Sequence, residues 1–179
     1  MILRTGVITL LFTFCLLGCT STTKPLVWKV KDVAITDFKA FEIQPVINAT
    51  GKNIRNARGK NIEPEILSSL TAYLKEQFEV KNLQLIDSPQ TESEVLTVQS
   101  EILVYEVKSF AGPALPAKYR VDLCILRTRL LQKSSSNVVA EIVTVNQADV
   151  GQGLFEPKSP EYVLQESAAA VAKEVAKMM

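Results

Sequence analysis

Three stretches of the chain alternate apolar and polar side chains with period two. In 94–110, Leu96, Val98, Ile102 and Val104 fall on one side, and Thr97, Gln99 and Glu101 on the other. In 118–131, Tyr119, Val121, Leu123 and Ile125 oppose Arg120 and Asp122. The run VVAEIVTVNQ at 138–147 gives a third strand. The breaks between them, AGPALP at 111–116 and QKSSSN at 132–137, are turn-like, so the three predict an antiparallel meander.

Two other stretches have helical spacing. In 63–78, Ile66, Leu67, Leu70, Tyr73, Leu74 and Phe78 recur every three or four residues and form one apolar stripe. Asn61 is placed to cap that helix and Pro64 to sit in its first turn. Near the C-terminus, Ser159, Pro160 and Glu161 supply a cap, a first-turn proline and an acid at the positive dipole end. Val163, Ala170, Val171, Val175 and Met178 then form the apolar side, with Ala168, Ala169, Ala170 and Ala172 allowing close packing.

The N-terminal half is less regular. The stretch 33–46 predicts a strand, with Val33 and Ile35 on one face and Phe41 and Ile43 on one face further on. Asp37 and Lys39 interrupt the pattern, which predicts a bulge or an exposed middle, and Pro45 ends it. A short strand is expected at 83–87. The order is strand, helix, short strand, three-strand meander, helix. It predicts an α+β domain with one antiparallel or mixed sheet of about four to five strands. Two helices would cover one face and leave the other partly open to solvent or a partner.

The first residues belong to a different kind of pattern. Arg4 precedes an apolar run at 7–17, which is 11 residues long. A hydrocarbon core of about 30 Å needs roughly 20. The charged start, short apolar middle and small residue at the break describe a secretory signal peptide. Leu16-Leu17-Gly18-Cys19 resembles the lipobox of bacterial lipoproteins, although Leu17 stands where Ala, Ser or Thr is commoner. The resemblance implies that the Cys19 thiol receives a diacylglyceryl group, that cleavage falls before it, and that the new amine is acylated, commonly with palmitate. It also implies the outer membrane, because Thr20 is not the Asp that favours inner-membrane retention in that family. Two or three long acyl chains anchor a protein stably, where one does so only marginally. The division expected is a signal peptide at 1–18, a lipidated N-terminus and tether at 19–30, and a single domain at 31–179.

Charge and composition then remove several functions. The chain has 20 Lys+Arg and 19 Asp+Glu, and the signal carries Arg4 and no acid, so the mature chain has 19 of each and no net charge. Neutrality gives no electrostatic case for nucleic acid or anionic lipid as the main partner. The chain contains no histidine, which removes the commonest general base and metal ligand. Of three cysteines, Cys15 leaves with the signal and Cys19 is lipidated, so Cys124 is left without a disulfide partner. It reads as a small buried hydrophobe rather than a reactive thiol. No metal, no cofactor and no enzymatic activity are expected. The lone Gly151-Gln152-Gly153 pair lacks the third glycine and the lysine of a phosphate loop. The acid pairs Glu63/Glu65 and Glu92/Glu94 read as solvated charges near element ends.

One stretch draws a candidate contact. The segment 48–61 shows no apolar period and carries Lys52, Arg55, Arg58 and Lys60 with no acid among them. It reads either as a solvated surface loop or as a contact for an anionic partner, such as lipid headgroups or an acidic protein.

The lipobox, the helix PEILSSLTAYLKEQF, the strand EVLTVQSEILVYEV and the hairpin around QKSSSN together resemble small Gram-negative outer-membrane lipoproteins with DUF-type domains. In outline that fold is similar to the N-terminal domain of TolB and to the core of CsgG. The resemblance implies a non-enzymatic outer-membrane lipoprotein, facing the periplasm, that binds or scaffolds another envelope component. The alternative is an accessory subunit of an envelope transport system that handles a lipid or other apolar ligand. A deep apolar pocket between sheet and helices would favour the accessory subunit; a flat exposed sheet face or edge would favour the scaffold.

Overall fold

The computed structural model describes residues 24–31, 33–56, 59–86, 94–112, 115–150 and 160–179. The export signal, Cys19, Arg58, Asp87, Glu92, the 151–153 glycine pair and Ser159 lie outside those residues, as do the side chains of 107–122. In chain order the elements are β1 (Leu26–Lys29), β2 (Ala40–Ile43), β3 (Ile47–Asn48), α1 (Glu63–Val80), β4 (Val95–Gly112), β5 (Leu115–Gln132), β6 (Val138–Val150) and α2 (Pro160–Met178). The class is α+β. One mixed sheet runs β1-β6-β5-β4-β2, with β3 also beside β4. β4, β5 and β6 form the antiparallel meander, while β2 and β3 run parallel to β4.

Among the described residues the sheet has six strands, where about four to five were expected, because two short pieces carry no legible pattern of their own. β3 is two residues long. β1 comes from the stretch read as tether, and it pairs antiparallel with β6, Leu26 opposite Val143 and Trp28 opposite Glu141.

The core lies between the sheet and both helices. Leu96, Val98 and Ile102 of β4, Cys124, Leu126 and Leu130 of β5, and Ala140 and Ile142 of β6 point into it. The stripe Ile66, Leu70, Leu74 and Phe78 of α1 and Val163, Leu164, Ala168, Val171, Ala172 and Val175 of α2 close it. Phe41 and Phe78 meet edge-to-face, with ring centroids 5.4 Å apart and planes at 77°. The N-cap position of α1 is Ile62, not the expected Asn61, and carries no side-chain cap; Asn61, one residue earlier, accepts from the Glu63 backbone N–H at 3.0 Å.

Three sequence expectations change. The stretch 33–46 is not one strand. Ile35–Asp37 forms a single 3-10 turn, which brings Ile35 and Phe38 to the same side, and both are buried. The strand expected at 83–87 reduces to Leu85, which bridges to Phe41 and covers the outer edge of β2. Third, β4 carries a bulge between Ile102 and Val104, so the register passes from Ile102↔Leu126 to Val104↔Ile125. A bulge adds one residue and reverses the alternation. Val104 therefore leaves the core face that its spacing from Ile102 predicted. Ile125 and Leu123, expected inward, occupy the outer face, while Cys124, Leu126, Thr128 and Leu130 are inward and fully buried.

Candidate functional site

The basic segment is a shaped loop, not a loose one. Ile54 is 3% exposed and pins its middle into the core. Arg55 and Asn61 form an antiparallel bridge, and Gly59 takes φ 78°, a left-handed conformation that glycine adopts without strain. Arg55 Nη1 donates to the Gly59 carbonyl at 3.1 Å, and Lys60 Nζ lies 3.9 Å from Glu65. Lys52 sits apart, in a turn where the Asn48 and Thr50 side chains both donate to its carbonyl. Two of the candidate cations thus already have local acceptors. Arg58 is outside the described residues.

The sheet face turned away from the helices holds a second set of charges. Arg127 Nε donates to Glu101 Oε1 at 2.9 Å, and Arg129 Nη1 reaches the same oxygen at 3.4 Å. Arg129 Nε also donates to Glu141 Oε2 at 3.1 Å. The band therefore crosses β4, β5 and β6. At one end Lys133 pairs with Glu42 at 3.1 Å. The hydrogen bond from Arg127 does most to hold the Glu101 carboxyl below the usual carboxylate range; burial opposes it, and the charges of Arg127 and Arg129 add to it. The same bond raises Arg127. A carboxylate held ionised by two guanidiniums is a poor general acid at neutral pH. What it does here is tie β4 to β5 in register.

Beyond the band that face turns apolar. Val104, Ile125 and Val145 align across three strands, and all are half-buried. Val143 lies next to Leu26 of β1, which is 71% exposed, and Trp28 beside it is 55% exposed. Both helices contribute to the core on the opposite side. No helix among the described residues is long and apolar enough to cross a membrane.

A cleft of about 400 Å³ opens where the chain enters the domain, between Lys24, the end of α1 and α2. Lys24, Lys81, Lys173 and Lys177 line it with Glu166 and Glu174, and Pro25, Ala169 and Ala170 give it an apolar part as well. Beneath it, Asn146 Nδ2 donates to Ser167 Oγ at 2.9 Å, and Ser167 donates to the Val163 carbonyl at 2.8 Å. Cys124 is buried, and burial pushes its thiol up to about 12, with a smaller opposing effect from Ser167.

The cross-strand band was missed in the sequence. Its residues were visible as polar positions in strands, but which acid meets which guanidinium depends on register.

No protein-family model matches the sequence, and no curated protein matches it. Among solved structures the chain is similar to the PelC dodecamer from Paraburkholderia phytofirmans, with a TM-score of 0.55 at 11% identity over 84% of this chain and 96% of that one. A point variant of the same dodecamer aligns at a TM-score of 0.52 and 10% identity, covering 84% and 98%. The likeness is one of fold. A minor lipoprotein from Acinetobacter baumannii aligns at a TM-score of 0.39 and 10% identity over 78% and 91%, too loose to argue from.

Proposed function

We propose that this chain is a non-enzymatic lipoprotein of the bacterial outer membrane, anchored through Cys19 and facing the periplasm, whose domain binds or scaffolds another envelope component. The observation that carries this reading is the contrast between the two sides of the sheet. The helix side is filled by side chains such as Phe41, Leu70, Phe78, Leu96 and Leu164, each at most 1% exposed. The other side presents a charged band and a half-buried apolar strip, with no helix among the described residues packed on it. A filled interior does not suit carriage of an apolar ligand; an open sheet face of mixed polarity suits a protein partner. The fold shared with a chain that assembles as a dodecamer makes a second copy the first partner to test.

The test places a photo-crosslinking amino acid at Ile125 or Val143 in the lipidated protein in its native cells, with Glu76 on the solvent side of α1 as control. Adducts at the sheet positions and not at Glu76 support the reading. Equal adducts at all three, or none, overturn it.

A further inference from the structure

We propose that β1 is a second membrane contact: the edge formed by Leu26, Val27 and Trp28 lies in the headgroup layer of the membrane that holds Cys19. This rests on the anchor proposed above.

Three consecutive large apolar residues on β1 are exposed, at 71%, 43% and 55%. Among the described residues β1 is the terminal strand of the sheet, and its outer backbone groups have no strand partner there. Such an edge normally carries charge or cover. Here Leu26 and Trp28 lean to one face and Val27 to the other, which suits edge-on contact with an apolar medium rather than burial under a third layer.

The position of the edge along the chain selects the medium. Leu26 lies seven positions beyond Cys19, with six residues between them. Fully extended, that span reaches about 25 Å, less than the hydrocarbon core is thick. An acylated Cys19 therefore keeps β1 near the interface at all times. Lys24, Lys29 and Lys31 flank the edge; all three are exposed, and none makes an ion pair among the described residues. Lysines beside an apolar patch are drawn to anionic headgroups. Tryptophan itself favours the headgroup level, where its ring is in apolar contact and its N–H stays wet. The unpaired strand backbone sets the depth. It needs water or headgroup acceptors, so β1 rests in the interface and does not enter the hydrocarbon. The uncovered sheet face then stands sideways to the membrane, still open to a protein partner.

Trp28 is the only tryptophan, so its fluorescence reports this contact directly. The lipidated full mature chain is incorporated into vesicles of phosphatidylethanolamine and phosphatidylglycerol carrying bromine on the acyl chains, either near the headgroup or near the chain end. Expected are flotation with the vesicles and quenching of Trp28 by the shallow bromines more than by the deep ones. Substitution of Leu26→Ser with Val27→Ser should reduce the shallow quenching about twofold or more while flotation persists. Flotation with Trp28 unquenched overturns the proposal and leaves the anchor intact. Failure to float overturns both. Unchanged quenching in the double variant overturns it as well. So does a blue shift of Trp28 that grows with protein concentration and needs no vesicles, which would assign the edge to pairing between copies.

Discussion

Arg127 on β5 grips Glu101 on β4 through two nitrogens, Nε at 2.9 Å and Nη2 at 2.8 Å, both on the same carboxylate oxygen. Glu101 is 8% exposed, so the pair is nearly out of water. The folded carboxyl titrates below its ordinary value of 4.5, and the unfolded one does not. The stabilisation is therefore complete above the ordinary value and is lost as pH falls through the lower folded value. Arg127, raised by the same bond, stays charged and keeps its contribution throughout the neutral and acid range. Urea unfolding followed from neutral to acid pH should show an acid limb that Glu101→Gln flattens. Arg127→Met should cost more than Glu101→Gln, on the order of 1–3 kcal/mol at neutral pH, because it leaves the largely buried Glu101 carboxylate only the longer 3.4 Å contact with Arg129. An unchanged acid limb in Glu101→Gln would place the limb elsewhere.

Phe78→Ala removes the edge-to-face partner of Phe41 and leaves a cavity at the end of α1. The expected loss is about 3–5 kcal/mol. Glu76→Ala, on the exposed side of the same helix, should change stability by about 0.5 kcal/mol or less. Equal losses in thermal melts would mean that α1 is turned the wrong way.

Cys124 should resist alkylation in the folded protein at mildly alkaline pH, since its thiol is buried and titrates at about 12. Labelling should follow the unfolding rate and become complete in denaturant. Rapid labelling of native protein would contradict the buried placement.

In the basic loop, stability and charge should separate. Ile54→Ser should cost about 1–3 kcal/mol, because Ile54 is the buried pin of the loop. Changing Lys52, Arg55, Arg58 and Lys60 together to Ser should leave the melting temperature nearly unchanged. If the loop meets an anionic partner, the quadruple variant should lose partner recovery most at low ionic strength. Identical recovery would return the loop to plain solvated surface.

Intact-mass measurement of mature protein should find Cys19 at the N-terminus carrying acyl chains, and Cys19→Ala should abolish membrane retention. An unmodified Cys19 in the mature chain would remove the anchor from the proposed function.

What the sequence by itself determined is local or periodic. The α1 stripe is legible because Ile66, Leu70, Leu74 and Phe78 keep helical spacing, and packing had only to accept it. The meander is legible because turn residues separate three alternating runs. The tertiary structure decided the rest. β5 is apolar on both faces around Leu123–Leu126, so either parity satisfies alternation, and only pairing with β4 and β6 sends Cys124 inward and Ile125 outward. The bulge at Ile102/Val104 leaves no mark in composition, yet it moves Val104 across the sheet. β1 is too short for a pattern and becomes a strand only because β6 offers it an edge. The contact of Glu101 with Arg127 joins residues 26 positions apart, through a register that a one-residue slip would undo.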